Sequence, residues 1–178
     1  MADLKVIDPK GPKGVDENNQ QALELEQQMF DLQTQLSKKK YRVKTTTGTM
    51  NYLMDVFYQN VQWKGYECYA IDETYTQVQK VLDKAMDKLA ESGKESDKIS
   101  FTIPVEILEA LFHFVKEYVG KGREHAQTHR FLAEDLSVPM SQLNQDRQQL
   151  RDLAVEAEAA KHGISVEDYK KAASQIGQ

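Results

Sequence analysis

The segment REHAQTHRF, residues 123–131, sets His125 and His129 four positions apart. On a helix that spacing places both imidazoles on one face, the arrangement that two ligands of a metal ion require. A zinc hydrolase pattern also needs a glutamate directly after the first histidine, where Ala126 stands, and a third ligand that neither Glu124 nor Asp135 fixes by position. The pair is therefore expected as two polar side chains on a partly exposed helix, with a metal-dependent enzyme at His125 and His129 as the alternative. No cofactor is expected: GKG at 120–122 is too short for a phosphate loop, and no Gly-x-Ser-x-Gly elbow occurs.

Cys68 follows Glu67, and an acidic neighbour is the wrong environment for a reactive thiolate, which needs positive charge or a helix N-terminus. A buried structural thiol is expected. His113 sits between two phenylalanines as a core-edge histidine, and His162 ends a helix, where the dipole favours a cation. One cysteine allows no internal disulfide, and the opening MADLKVIDPKGPKG lacks the apolar stretch of a secretory leader. These features lead to the expectation of a cytoplasmic, reducing location, with a place in a viral particle as a variant. No window approaches the roughly 18 apolar residues of a membrane helix.

A different chemistry is suggested by SKKKYRVKTTTG, where Lys38, Lys39, Lys40, Arg42 and Lys44 stand close together in a chain of formal net charge -5. Such a patch can hold phosphates locally, although the overall charge opposes general affinity for DNA or RNA. From Lys40 to Thr45 the cations alternate with Tyr41, Val43 and Thr45, so a period of two puts rings and methyls on one face and charges on the other. The stretch is expected as a half-buried strand with a solvated cationic face, and as a nucleic-acid contact in the alternative.

The elements that must position these groups are mostly helical. Residues 1–18, with two prolines and two glycines and no apolar period, are expected as a flexible or partner-ordered arm. Ala22, Leu25, Met29, Leu32 and Leu36 then follow a heptad seam, which either docks on its own domain or pairs with another chain. Residues 49–62 fit a helix through Met50, Leu53, Met54, Phe57 and Val61, or a hairpin turning at TTTG; the longer stripe favours the helix. WKGYECYAID, rich in aromatics, is expected as a strand.

From Asp72 a second seam runs through Tyr75, Val78, Leu82, Ala85 and Leu89 to a stop at Gly93, and Ile99, Phe101 and Ile103 mark another short strand. PVEILEALFHFVKEYVG is expected as the central core helix, with Pro104 at its first position and Leu108, Leu111, Phe112, Val115 and Tyr118 inward. Helical segments follow before and after Pro139, and Ser165 with Asp168 resembles a capping box for a last helix, with Ile164 and Tyr169 at the staple positions.

The expectation is a mainly α chain with a small β-sheet (α+β), divided into the arm 1–18, a helical domain with the sheet over 19–137, and a helical C-terminal arm over 138–178. With no convincing catalytic set, the leading function is a non-catalytic assembly subunit that binds protein partners or itself and no membrane. Its expected contacts are Leu25, Met29, Leu32, Leu36, Tyr75, Val78 and Leu82. The crowding of Tyr52, Phe57, Tyr58, Trp63, Tyr66, Tyr69 and Tyr75 into one region suits a core first and an interaction surface second.

Overall fold

The structure is a computed structural model that describes residues 13–92 and 97–176, with side-chain environments from 18 to 92 and 97 to 175. In order it contains α1 (Lys13–Lys38), β1 (Lys40–Thr46), α2 (Thr47–Asn51), a π-helical turn (Tyr52–Phe57), α3 (Tyr58–Asn60), a 3-10 turn (Gly65–Glu67), α4 (Cys68–Ser92), β2 (Lys98–Pro104), α5 (Val105–Glu117), α6 (Arg123–His162) and α7 (Val166–Ile176). The chain is mainly α with a small two-stranded antiparallel sheet, as its periodicities lead one to expect. No helix of the described residues is long and apolar enough to cross a membrane.

The chain forms two compact units, one spanning 37–146 and the other built from the described residues of 1–36 and 147–178. In the first, β1 and β2 pair with Tyr41 opposite Ile103, Val43 opposite Phe101 and Thr45 opposite Ile99. These six side chains are buried while the alternate positions are exposed, so one sheet face belongs to the core and the other carries Lys40, Arg42 and Lys44. The period-two alternation of the sequence produces this division directly.

The ambiguous stretch 49–62 is helical through Asn60. Thr46 caps it, its hydroxyl accepting from the Thr49 backbone N–H at 3.2 Å. The π turn, in which the Tyr58 N–H reaches the Leu53 carbonyl, widens the inward face so that Tyr52, Leu53, Met54 and Phe57 are all buried. Against this face and the sheet pack Ile107, Leu108, Leu111, Phe114 and Val115 of α5, with Val78 and Leu82 of α4 and Leu132 and Leu136 of α6. The inward phenylalanine of α5 is thus Phe114, with Phe112 half-buried, and His113 is exposed.

Several sequence expectations need correction. WKGYECYAID is not a strand: a 3-10 turn leads into α4 at Cys68, because Ile71 and Thr74 extend the seam of Val78 and Leu82 backwards by two helical turns. Cys68 is therefore half-buried at a helix start rather than in a sheet. Pro104 closes β2 and occupies the N-cap of α5 with ψ 165°, one position before the expected helix start.

Pro139 does not divide two helices; α6 runs through it, although a proline has no backbone N–H to donate to the helix. α1 begins at Lys13, inside the stretch read as an arm, while residues 1–12 and Gly93, the expected stop of α4, lie outside the described residues.

In the second unit Ala22, Ala157 and Ala159 are buried, and Leu25, Met29, Leu32 and Leu36 are half-buried along α1. Lys161 binds Glu26 at 2.6 Å and Glu158 at 2.8 Å. α6 ends in a Schellman motif: the Gly163 N–H donates to Ala160 and the Ile164 N–H to Ala159, with Gly163 at φ +63°. Ser165 then caps α7, its hydroxyl accepting from the Asp168 N–H at 3.1 Å and donating to the Asp168 carboxylate at 2.7 Å, as the capping-box spacing implies.

Candidate binding surfaces

The histidine pair is the first arrangement to resolve. His129 Nε2 lies 2.8 Å from the Val115 carbonyl, which can only accept, so Nε2 carries the proton. Nδ1 lies 3.0 Å from the Tyr52 hydroxyl. Burial, and after it the neighbouring Tyr118, push the Tyr52 phenol up to about 12, which keeps it a donor.

The ring also stacks on Tyr118 at 5.1 Å. Both nitrogens of His129 are thus engaged in joining α6 to α5 and to the π turn. His125 shares a cavity of about 200 Å³ with Tyr52 and Tyr118, and it is exposed. Among the described residues no group of three or more His, Cys, Asp or Glu side chains is disposed to hold a metal ion.

The seven aromatic residues of 52–75 divide sharply. Tyr52 and Phe57 enter the core, whereas Trp63, Tyr66, Tyr69 and Tyr75 are 55%, 75%, 83% and 39% exposed. Their positions follow from the local fold: the residues between α3 and α4 leave Trp63 outside the helical stripe, and Tyr69 falls on the outer face of α4, opposite Val78.

Between α4 and the segment 54–63, Trp63 and Tyr75 border a cleft of about 370 Å³, lined also by Met54, Tyr58 and Ile71 with the carboxylates Asp55 and Asp72, while Tyr66 and Tyr69 lie outside its lining. Tyr58 meets Tyr75 edge to face at 5.0 Å. The Tyr58 hydroxyl is buried and has no hydrogen-bond partner among the described residues. Burial, reinforced by Tyr75, drives its phenol well above the ordinary tyrosine range, so it remains an unpaired donor.

The five cations of 38–44 are distributed to different tasks. Lys39 binds Asp146 at 2.6 Å, and the same carboxylate oxygen accepts from the Tyr41 hydroxyl at 2.5 Å. Lys44 lines a separate depression with Lys98 and Asp135, and Lys38 is exposed at the end of α1. Lys40 and Arg42 face a groove of about 410 Å³ whose other wall is α4, with Lys84 and Lys88 one turn apart. Ser100 and Thr102 on the outer face of β2 line it as well.

Sequence reasoning identified Lys40 and Arg42 and missed Lys84, Lys88, Ser100 and Thr102. The i,i+4 spacing of the two lysines was the available signal for half of that set.

Of the expected contact residues, Val78 and Leu82 are buried in the core of their own unit. Tyr75 remains exposed at the cleft, and Leu25, Met29, Leu32 and Leu36 remain half-buried on α1.

Fold and surface define a mainly α chain with a two-stranded sheet, carrying an aromatic cleft and a cationic groove on one compact unit. No family model, curated protein or solved structure matches it.

Proposed function

We propose that the chain is a non-catalytic assembly subunit that acts through protein–protein contacts within a larger complex, with the aromatic cleft as its main contact surface. The observation that carries this reading is the exposure of Trp63 and Tyr75 at one concave site, with Tyr66 and Tyr69 also exposed on the neighbouring chain segment. Tyrosine and tryptophan are enriched at interface centres, and an aromatic side chain transferred from water into a packed contact contributes on the order of 1–3 kcal/mol.

The unpaired Tyr58 hydroxyl adds a directional element. A backbone carbonyl of a partner segment would satisfy it, removing a penalty of about 1–3 kcal/mol carried by the unbound chain. Asp55 and Asp72 in the lining select the charge of that segment: an apolar stretch with a lysine or arginine, whose cation would also lie against the rings.

The test is sedimentation of the tagged chain in extracts of the cell that produces it. The native chain is expected to migrate with a species larger than itself, and the double variant Trp63→Ala/Tyr75→Ala as the single chain. Native material that migrates alone, or a variant that still co-migrates with the large species, would overturn the proposal.

A further inference from the structure

The groove between the outer face of the sheet and α4 gathers four cations, Lys40, Arg42, Lys84 and Lys88, from two elements that are far apart in sequence. None of the four has an ion-pair partner among the described residues, and no carboxylate lines the groove. Lys39 and Lys161 are bound to carboxylates, and Arg130 pairs with Glu134.

Like charges held within a Debye length of about 8 Å repel one another, and an anion seated among them relieves that repulsion. Ser100 and Thr102 supply hydroxyl donors on the floor, and a volume of about 410 Å³ falls within the usual range for ligand pockets.

We infer that this groove is a binding site for a ligand bearing two or more adjacent phosphate groups. Its chemistry suits phosphates better than carboxylates, because arginine with several lysines and hydroxyls matches many oxygens spread over a tetrahedral group. It is not built to read bases. The only aromatic side chain in the lining, Phe101, is buried with its strand's inward face, and Tyr41 also faces inward, so no ring is offered for stacking.

Recognition is therefore of phosphate groups alone, whether from a nucleic-acid backbone or from a free oligophosphate. The chain's net charge of -5 opposes phosphate binding outside the groove, and the contacts of the groove cations with phosphates make binding steeply dependent on salt. This inference stands apart from the aromatic cleft and does not rest on it.

The full chain is tested with two probes, a short fluorescent single-stranded oligonucleotide followed by anisotropy and inorganic tripolyphosphate followed by calorimetry, each at rising salt. Binding of at least one probe is expected at low salt. For the oligonucleotide, four phosphate contacts give a slope of log affinity against log salt of about -3, falling to about -1.5 in Lys84→Gln/Lys88→Gln.

That variant should bind at least tenfold more weakly, and Lys170→Gln/Lys171→Gln, on the exposed face of α7, should bind like the native chain. Both pairs are solvent-exposed, so circular dichroism should show the same fold in each. Binding of the oligonucleotide without tripolyphosphate identifies the backbone as the source; the reverse identifies a free oligophosphate. Absence of binding by both probes, equal binding by the groove variant, or equal loss in the α7 variant would overturn the inference.

Discussion

Tyr41 and Asp146 stand 105 positions apart, and the Tyr41 hydroxyl donates to the Asp146 carboxylate across 2.5 Å while Lys39 binds the same oxygen at 2.6 Å. Burial alone would raise the Asp146 carboxyl, but the bonds from Lys39 and Tyr41 outweigh it and hold the group below the usual carboxylate range. A carboxyl depressed in the folded state stabilises the fold above its unfolded value of about 4, and that contribution disappears as pH falls through the folded value.

Asp146→Ala should therefore cost about 1–3 kcal/mol at neutral pH, since it removes the carboxylate that binds both Lys39 and the buried Tyr41 side chain. Urea unfolding at pH 7 and again near pH 3 should show the gap between native and variant proteins narrowing in acid; a gap independent of pH would contradict the assignment.

Tyr58 offers a prediction with two signs. Removing its unpaired buried hydroxyl in Tyr58→Phe should leave the unbound chain as stable as the native protein, or more stable by about 1 kcal/mol. The same change should weaken association through the cleft, because the donor for a partner carbonyl is gone. Thermal unfolding of the isolated chain and sedimentation of the assembled one read the two effects separately. A variant that is less stable yet assembles normally would show that the hydroxyl has a structural partner instead.

The two classes of aromatic residue should separate in stability measurements. Phe57, fully buried, should cost about 3–5 kcal/mol as Phe57→Ala, whereas Trp63→Ala and Tyr69→Ala should each fall within about 0.5 kcal/mol of the native chain. Denaturant titrations of the three variants test this directly. A large loss from Tyr69→Ala would mean that its ring packs within the fold rather than waiting for a partner.

Gly163 is held at φ +63° by the Schellman motif that ends α6, a region that costs an L-residue about 1–2 kcal/mol. A Cβ there would also meet the Asn18 amide at 2.8 Å. Gly163→Ala should therefore lower stability by about that amount, and Gly163→Asn by less, since asparagine tolerates the left-handed region better. Equal effects of the two would point to the Asn18 contact rather than the backbone as the cause.

Much of the fold was legible because its local patterns agree with its packing. Tyr41 and Val43 alternate with cations, and Ile99, Phe101 and Ile103 with polar residues, so both strands and their inward faces could be read from period two. The start of α4 could not. Its first turn has aromatic and cysteine residues that favour strands, and the stripe of Ile71, Thr74 and Val78 overrides that preference only once α5 and the sheet are present to pack against.

Pro139 misled for a related reason: local propensity stops a helix there, while Leu132, Leu136 and Leu143 bury on both sides of it and carry the helix through. Lys84 and Lys88 are distant in sequence from Arg42, so no pattern in the basic strand could announce them.

Whether the aromatic cleft is a protein contact is tested most directly by a crosslink from Tyr75, one of the exposed rings that line it. A benzophenone-bearing residue placed at position 75, where the native tyrosine is 39% exposed, should on irradiation in the producing cell yield one discrete adduct, either a second copy of the chain or another protein. The adduct should be lost when Trp63→Ala is added. Irradiated chain that remains uncrosslinked, or an adduct that persists without Trp63, would contradict the claim.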